Sequence, residues 1–439
     1  MILFLRSLMV LWVLLFCLAI KAQDPTPVLV GYWHNWNDAD APYLPLDQID
    51  PRYNVVEVAF AVPAVGTSHQ MEFVPSETTP AEFAAEVATL QAQGRKVLIS
   101  IGGANAVVQL DSDTERDQFV ASMMTLLDTY GFDGIDIDLE GASVAMTGGT
   151  IGAPTDAAVI RLIDAVDAIM AQYRQTTGQK LFLTMAPETA YVQGGQSAFG
   201  GIWGAYLPII HALRDSLDIL QVQLYNSGSM YGIDGVIYEQ GSADFIVSQT
   251  EAVIQGFNTG GGFFEGLPPE KVAVGLPACN AAAGGGYTDT AAVRAAMKYL
   301  LGTGPQPGAY TLVQPGGYPA LRGMMTWSIN WDAASTCNGH YSYAENFDRI
   351  FTEVSTLVEV THRPDLVFAP DPVQDILRIL TPISPGATAN IIDMAGRSVR
   401  TRGLGSDGRS IRVDDLAAGT YILVVQDRSE RQHGVFRKE

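Results

Sequence analysis

The stretch FDGIDIDLEG, residues 132–141, alternates acidic and aliphatic side chains. Successive side chains of a β-strand point to opposite faces, so Asp136, Asp138 and Glu140 share one face and the aliphatic residues between them share the other. In a barrel strand the aliphatic face would pack against helices, and the acidic face would point inward. The stretch therefore predicts a column of carboxyl groups that rises toward the carboxyl end of an inner strand.

The chain around this stretch repeats short apolar runs and longer amphipathic segments, from residue 27 to 357. Eight strand–helix units over about 330 residues are typical of a (β/α)8 TIM barrel. No G-x-G-x-x-G loop follows the first run, which argues against a doubly wound open sheet. The predicted fold class is therefore α/β with a TIM barrel. The eight runs are VLVGYW, NVVEVAFA, KVLISIGG, FDGIDIDLE, LFLTMAPE, ILQVQLYN, KVAVGLPA and GMMTWSIN.

The sequence changes character after His362, where short β-type runs alternate with Gly, Ser, Pro and Asp turns. Residues 23–362 carry 13 Lys and Arg against 37 Asp and Glu, whereas residues 363–439 carry 11 against 10. We expect a small C-terminal all-β, sandwich-like module. The acidic barrel lacks the basic surface that nucleic acid requires, so no nucleic-acid partner is predicted.

The first 22 residues have the pattern of a secretory signal peptide. Arg6 precedes an apolar run, Leu8–Ile20, and small Ala22 follows it. A transmembrane anchor is the alternative, but the run is short for a span. The predicted division is a signal peptide at 1–22, a catalytic barrel at 27–358, a linker at 359–366 and a C-terminal module at 367–439.

Two cysteines follow the leader, Cys279 and Cys337. Outside the cytoplasm they could form a disulfide, but two buried free thiols are an equal alternative. The sequence holds no Cys/His cluster with the spacing of metal ligands, so no metal site is predicted.

The acidic column itself indicates acid–base catalysis. Burial and neighbouring negative charge both raise carboxyl pKa values, so at least one proton should stay in the array. The outermost member, Glu140, would then be a general acid. A solvated acidic face would not alternate with aliphatic residues, and a Mg²⁺ site usually draws ligands from several elements.

The pattern D-x-x-D-x-D-x-E, from Asp133 to Glu140, resembles the signature of family 18 glycoside hydrolases, the chitinases and their relatives. Further motifs of the family follow in order along residues 27–357. The resemblance implies hydrolysis of β-1,4-linked N-acetylglucosamine polymers without a cofactor. The further motifs are SIGG (100–103), MAPE (185–188), QLYN (223–226) and TWSINWD (326–332).

The resemblance also implies catalytic roles in a substrate-assisted retaining mechanism. Glu140 would protonate the glycosidic oxygen and later activate water. Asp138 would orient the acetamido group of the sugar, and Asp136 would share its proton. Tyr225 would donate a hydrogen bond to the acetamido oxygen.

Other strand-end residues match positions that bind the sugar or shape the motif. Trp327 would form the pocket floor, and its ring would stack on a sugar. Trp33, Trp36 and Trp331 could extend the cleft, and Glu188 is interpreted as supporting rather than catalytic. The predicted pocket walls are Tyr32, Phe60, Met185, Gln223 and Asn226. Barrel packing is the alternative for each of them, and it is favoured for Phe60 and Met185 taken singly. The predicted structural motif residues are Asp133, Ser100, Gly102 and Gly103.

The segment Ala278–Arg322 is too short for the α+β insertion that deepens the cleft of some chitinases. An open groove and endo-type cleavage are therefore expected. An endo-β-N-acetylglucosaminidase acting on N-glycan chitobiose cores is the alternative within the family. A non-catalytic chitin-binding lectin is disfavoured because such relatives lack the acid at the position of Glu140.

The C-terminal region resembles the sorting domain of proteins exported by the type IX secretion system of Bacteroidota. The resemblance lies in PDPV (370–373), NIIDMAGRSVR (390–400), LAAGTYILVV (416–425) and Lys438. It implies the secretion machinery as a partner and a secreted or outer-surface location. A chitin-binding β-sandwich is the alternative, but the region has no Trp to stack on sugars. We expect a monomer.

Overall fold

The computed structural model describes residues 26–334, 337–357, 366–381, 387–393, 397–404, 409–426 and 431–439. It divides the chain into two compact units between Val354 and Ser355. The predicted signal peptide at 1–22 lies outside the described residues, as do residues 359–365 of the predicted linker.

The first unit is built on eight parallel strands hydrogen-bonded in the order β7-β8-β1-β2-β3-β4-β5-β6. Parallel bridges Leu220–Val272 and Gln223–Gly275 join the two edges, so the predicted (β/α)8 barrel is confirmed. A short strand, Met71–Glu72, pairs antiparallel with β2. The barrel strands are β1 Val28–His34, β2 Val55–Pro63, β3 Lys96–Gly102, β4 Gly134–Asp138, β5 Phe182–Met185, β6 Ile219–Leu220, β7 Ala273–Pro277 and β8 Gly323–Trp327.

Helices connect most of these strands. The first connection contains only a 3-10 turn, Leu46–Gln48, in a segment rich in proline and aspartate. Within the described residues, no helix is both long and apolar enough to cross a membrane. The helices are α1 Pro80–Ala92, α2 Asp113–Tyr130, α3 Ala157–Thr177, α4 Leu207–Leu213, α5 Ala243–Gln255, α6 Thr290–Leu300, α7 Ile329–Ala333 and α8 Ser342–Leu357.

Local sequence sets the start of α1 and α2. Thr79 and Glu82 form a capping box at the first helix, and Ser112 and Glu115 form one at the second. In each, the hydroxyl accepts from the third N–H of the helix while the glutamate accepts from the backbone N–H of the capping residue. These bonds satisfy amide groups that the helix itself leaves free.

Side-chain alternation along β4 separates two environments, as the sequence predicts. Ile135 and Ile137 belong to the large hydrophobic layer between strands and helices. Asp136 and Asp138 point the other way and are buried. A smaller apolar cluster lies on the inner side and consists of Val28, Val30, Tyr32, Val55, Ala59, Leu98, Phe182, Ala186, Ile219, Ala273 and Met325.

The connection between β7 and β8 contains a 3-10 turn, Asn280–Ala282, and helix α6. The whole segment 278–322 is described, and it contains no strand, so no α+β domain is inserted there. Just before this turn, Cys279 forms a disulfide with Cys337, with the Cα atoms 5.5 Å apart. The structure thus decides the pairing that the sequence leaves open.

Two antiparallel sheets make up the second unit, which confirms the predicted all-β module. One sheet has the order β9-β10-β13 and the other the order β12-β11-β14-β15. Its own core includes Leu377, Ile391, Leu423 and Phe436. The strands are β9 Phe368–Ala369, β10 Ile376–Ile379, β11 Thr388–Asp393, β12 Ser398–Gly403, β13 Ser410–Arg412, β14 Gly419–Gln426 and β15 Arg431–Lys438.

Candidate active site

A cavity of about 840 Å³ lies at the carboxyl ends of the barrel strands. The end of β2 with the loop that follows it, residues 62–67, and the loop after β3, residues 104–107, form one of its walls. This is the end at which barrel enzymes place their active sites. The predicted site residues that line the cavity are Phe60, Gly102, Gly103, Asp138, Glu140, Gln223, Tyr225, Asn226 and Trp327.

Asp136 is the innermost member of the acidic column and is fully buried. Its Oδ2 lies 2.7 Å from the hydroxyl groups of both Tyr32 and Ser100, and its Oδ1 lies 2.7 Å from that of Thr184. Burial raises the pKa of Asp136, while these hydroxyl contacts stabilise its charged form and lower it. Tyr32 and Ser100 therefore act on the carboxyl column rather than at the open cavity.

Asp138 and Glu140 meet at the base of the cavity. The side-chain amide of Gln223 donates to Asp138 Oδ1 at 2.8 Å and to Glu140 Oε1 at 3.2 Å. Burial raises the pKa of Asp138 well above its usual range, and the charges of Glu140 and Asp136 raise it further. Burial also raises the pKa of Glu140, whereas the neighbouring Gln223 and Asp138 lower it. The pair can therefore hold a proton where a bound molecule would meet it.

Tyr225 and Asn226 follow β6 and line the cavity. Burial raises the pKa of Tyr225 well above its usual range, and the charges of Asp138 and Glu140 raise it further. The hydroxyl of Tyr225 therefore remains a donor. Asn226 adopts a left-handed conformation, and Gly285 N–H donates to its Oδ1 at 3.1 Å. Asn226 thus fixes the glycine-rich segment after β7 as well as lining the cavity.

Aromatic rings surround the half-buried Trp327. The ring of Phe60 is nearly parallel to that of Trp327, with an interplanar angle of 11° and centroids 5.8 Å apart. Trp36 is 38% exposed and lines the cavity, and it stacks on His34 with centroids 4.5 Å apart. Burial lowers the pKa of His34 to about 4, so this ring is uncharged near neutral pH. The cluster offers flat apolar faces of the kind that bind sugar rings.

Gly102 and Gly103 allow β3 to approach the column closely. Gly103 N–H donates to the backbone oxygen of Asp138 at 2.7 Å. A Cβ atom at Gly102 would lie 2.5 Å from that same oxygen, and one at Gly103 would lie 2.7 Å from the ring of Phe60. Both glycines also have positive φ, so a larger residue at either position would displace the acid strand or the aromatic wall.

Some predicted residues lie away from the cavity. Thr184 faces the barrel interior, so the alternation of β5 turns Met185 outward into the strand–helix core. Trp33 is also in this core, where its Nε1 donates to Leu44 O at 2.7 Å. Met185 is therefore not a wall residue of the cavity, and Trp33 does not extend the cleft; both predictions are corrected. Trp331 is half-buried in α7 and does not line the cavity either.

Asp133 and Glu188 have supporting positions. Asp133 Oδ2 accepts from the backbone N–H of Val97 at 2.9 Å and so fastens β4 to the start of β3. Burial, and then the charge of Glu140, raise the pKa of Glu188 to about 7. Glu188 lies at the carboxyl end of β5, where its backbone pairs with that of Gln223.

Sequence reasoning missed a further buried carboxyl group inside the barrel. Glu57 on β2 is fully buried, and Oγ1 of Thr184 and Nε2 of Gln221 lie 2.8 and 2.6 Å from its Oε1. The signal was present, because Glu57 is the one charged residue in the apolar run NVVEVAFA. Its alternation with Val56 and Val58 indicates an inward position.

Comparison with known proteins identifies two regions. The family described as "Glycosyl hydrolases family 18" matches residues 28–352. The family described as "Secretion system C-terminal sorting domain" matches residues 367–435. The two matches correspond to the barrel and to the all-β module.

Among curated relatives, "Chitinase Chi52" of Paenibacillus xylanexedens is 46% identical over 332 residues, 74% of this chain and 62% of that protein. "Chitinase D" of Niallia circulans is 47% identical over 322 residues, 72% of this chain and 60% of that protein. The match thus spans less than two thirds of either relative. A crystal structure of a family GH18 chitinase from Chromobacterium violaceum is 37% identical, with a TM-score of 0.64 over 74% of this chain and 83% of that one.

Proposed function

Because the chain belongs to family 18 of the glycosyl hydrolases, we propose that it is a chitinase that cleaves β-1,4-linked N-acetylglucosamine polymers. One observation carries the proposal: the carboxyl column of Asp136, Asp138 and Glu140 ends at a cavity of about 840 Å³ walled by aromatic rings. A neutral acid beside a carboxylate can protonate a leaving group while a cation develops next to it.

The proposed reaction retains the anomeric configuration and uses the substrate's own acetamido group, without a cofactor. Glu140 donates its proton to the glycosidic oxygen as the bond to the anomeric carbon breaks. The acetamido oxygen attacks that carbon and forms an oxazolinium ion, whose charge Asp138 stabilises. Tyr225 donates to the acetamido oxygen. Glu140 then takes a proton from water as the water opens the ring.

The proposed mode of attack is endo-type cleavage. The segment 278–322 between β7 and β8 adds one helix and a 3-10 turn to the barrel rim, which supports an open groove rather than a tunnel. A groove open at both ends admits the middle of a chain. The products would therefore be short oligosaccharides of mixed length.

Digestion of chitohexaose beside a high-mannose glycoprotein tests the activity. Internal cleavage of the hexamer into β-anomeric dimers, trimers and tetramers is expected at early times, and Glu140→Gln enzyme serves as the matched control. Release of disaccharides alone would contradict endo-type cleavage. An intact hexamer with released N-glycan would replace the chitinase proposal by an endo-β-N-acetylglucosaminidase, and no cleavage of either substrate would contradict both.

For the all-β module we propose a role in export through a type IX secretion system, to the medium or the outer cell surface. The sorting-domain match at residues 367–435 supports this role. Expression in a type IX-competent host, with and without residues 367–439, provides the test. The full chain should reach the medium or the surface, whereas the truncated chain should remain inside the cell. Equal export of both would contradict the proposal.

A further inference from the structure

The hydroxyl group of Thr184 lies between two buried carboxyl groups. Its Oγ1 is 2.8 Å from Oε1 of Glu57 and 2.7 Å from Oδ1 of Asp136. A threonine hydroxyl has one hydrogen and can donate one hydrogen bond. Oxygen atoms at these distances need a hydrogen between them. One of the two carboxyl groups must therefore carry a proton and donate it to Thr184.

Hydrogen-bond donors are divided unequally between these carboxyl groups. Asp136 Oδ2 accepts from the hydroxyls of Tyr32 and Ser100, both at 2.7 Å. Glu57 Oε1 accepts from Gln221, but Oε2 has no hydrogen-bond partner among the described residues. A charged oxygen buried without a donor is costly. This arrangement favours the negative charge on Asp136 and the proton on Glu57.

The electrostatic surroundings favour the same assignment. Burial raises the pKa of Glu57 well above its usual range, and the negative charge of Asp136 raises it further. Tyr32 also faces Glu57, but its single hydrogen is already donated to Asp136. The groups that face Glu57 or interact with it are Tyr32 from β1, Asp136 and Asp138 from β4, Thr184 from β5 and Gln221 beyond β6.

We propose that Glu57 is an uncharged positioning residue of this site, whose protonated carboxyl group donates to Thr184 so that Thr184 donates to Asp136. This chain of hydrogen bonds fixes the orientation of Thr184 and holds one negative charge on Asp136. The kinetic consequence rests on the proposed function. With Asp136 charged and Glu57 neutral, the mobile proton stays with Asp138 and Glu140, where the reaction uses it.

Two substitutions at Glu57 separate this role from simple packing. Glu57→Gln keeps the shape and can donate one amide N–H to Thr184. Its other N–H can be accepted by Oε1 of Gln221, which has no hydrogen-bond partner among the described residues, once the Gln221 amide turns over. We expect its kcat within about threefold of the wild-type value on chitohexaose. Glu57→Leu removes the donor, and we expect kcat to fall by about 100-fold with little change in KM. Equal losses of activity in both variants would contradict the proposal.

The pH profile of Glu57→Gln tests the charge of the native residue. If Glu57 is neutral, the substitution changes no charge, and the alkaline limb of kcat/KM stays at the same pH. If Glu57 is ionised, the substitution removes a negative charge and lowers the pKa of the neighbouring acids. The alkaline limb would then move to lower pH, and the proposal would be overturned.

Infrared spectroscopy provides a test that needs no substrate. At alkaline pH, where exposed carboxyl groups are ionised, the wild-type protein should retain the C=O stretching band of a protonated carboxylic acid. Glu57→Gln should weaken this band, and an unchanged band would overturn the proposal. An inactive wild-type enzyme would refute the proposed function but leave the infrared result valid. If Glu57→Leu fails to fold in a thermal melt, the infrared and pH results for Glu57→Gln decide.

Discussion

The acids inside the barrel and Glu251 of helix α5 are all buried carboxyl groups, but their hydrogen-bond donors are distributed differently. Glu251 accepts from the hydroxyls of Tyr310 and Tyr318, both at 2.6 Å, and from the backbone N–H of Val313 at 2.9 Å. Each donor serves this one acid. Glu251 is therefore a fully satisfied carboxylate that holds the segment 310–318 against the helix.

Inside the barrel the acids share their donors. Thr184 lies between Glu57 and Asp136, and Gln223 reaches both Asp138 and Glu140. Burial raises the pKa of each of these four acids, and repulsion from neighbouring charges adds to the effect at Glu57 and Asp138. The comparison indicates that burial alone does not mark a reactive acid. The barrel acids differ from Glu251 in two ways. Neighbouring acids share too few hydrogen-bond donors, and their column ends at a cavity.

The largest expected effect belongs to the acid at the cavity. Glu140→Gln should lower kcat on chitohexaose by about 10³-fold or more, because the amide cannot protonate the leaving oxygen. Steady-state kinetics and product sizing measure the loss. Glu188→Gln is the matched control, since Glu188 also has a raised pKa but lies beside the column. A comparable loss in Glu188→Gln would contradict the view that only the acid at the end of the column donates the proton.

A smaller loss is expected at the hydroxyl that faces the cavity. Tyr225→Phe should lower kcat by about 100-fold and leave KM nearly unchanged, because the donor acts mainly on developing charge. Steady-state kinetics on chitohexaose gives both constants. Tyr318→Phe is the control, since that hydroxyl donates to Glu251. An unchanged rate in Tyr225→Phe would remove this residue from the mechanism.

Gln223, the donor shared by Asp138 and Glu140, should influence how activity depends on pH. In the proposed mechanism Glu140 starts protonated, so activity should be lost as pH rises through its pKa, which burial raises above the usual range of a glutamate. Gln223 stabilises the charged form, so Gln223→Leu should raise this pKa and move the alkaline limb of kcat/KM to higher pH. Gln221→Leu, which removes a donor from Glu57 instead, should leave the limb in place. A shift to lower pH in Gln223→Leu would reverse the inferred role.

The smallest effect on turnover is expected at the satisfied carboxylate. Glu251→Gln should lower the free energy of unfolding by about 2 kcal/mol, because one acceptor oxygen becomes a donor that faces other donors. The kcat of the folded protein should not change. Urea denaturation and active-site-normalised kinetics measure the two quantities. A large loss of kcat at full stability would show that Glu251 does not differ from the barrel acids as described.

The acidic column and the barrel were predictable because both depend on local alternation. Each member of FDGIDIDLE takes its face from its immediate neighbours, and eight similar runs specify the fold. The inward position of Glu57 could have been predicted from its alternation with Val56 and Val58, but its role depends on Thr184, which lies 127 positions further along the chain. A partner at that separation becomes visible only after β2, β4 and β5 have been placed in one barrel.

The tryptophans near β1 also show how far local sequence can predict the role of a side chain. Trp33 is the penultimate residue of the strand and faces the helical layer, whereas Trp36 lies two residues beyond its end and lines the cavity. The two residues are chemically identical and three positions apart. Only the position at which the strand ends separates a packing role from a surface for ligands, and the sequence does not specify that position.

The Cys279–Cys337 disulfide closes a covalent ring around the last part of the barrel. The ring spans a sequence separation of 58 and includes the strand β8, which carries Trp327 and completes the barrel. A crosslink of this size restricts the unfolded chain by about 4 kcal/mol in the chain-entropy description. Protein produced in a reducing cytosol would lack this restriction. The compartment in which the chain folds therefore helps to set how firmly the floor of the cavity is held.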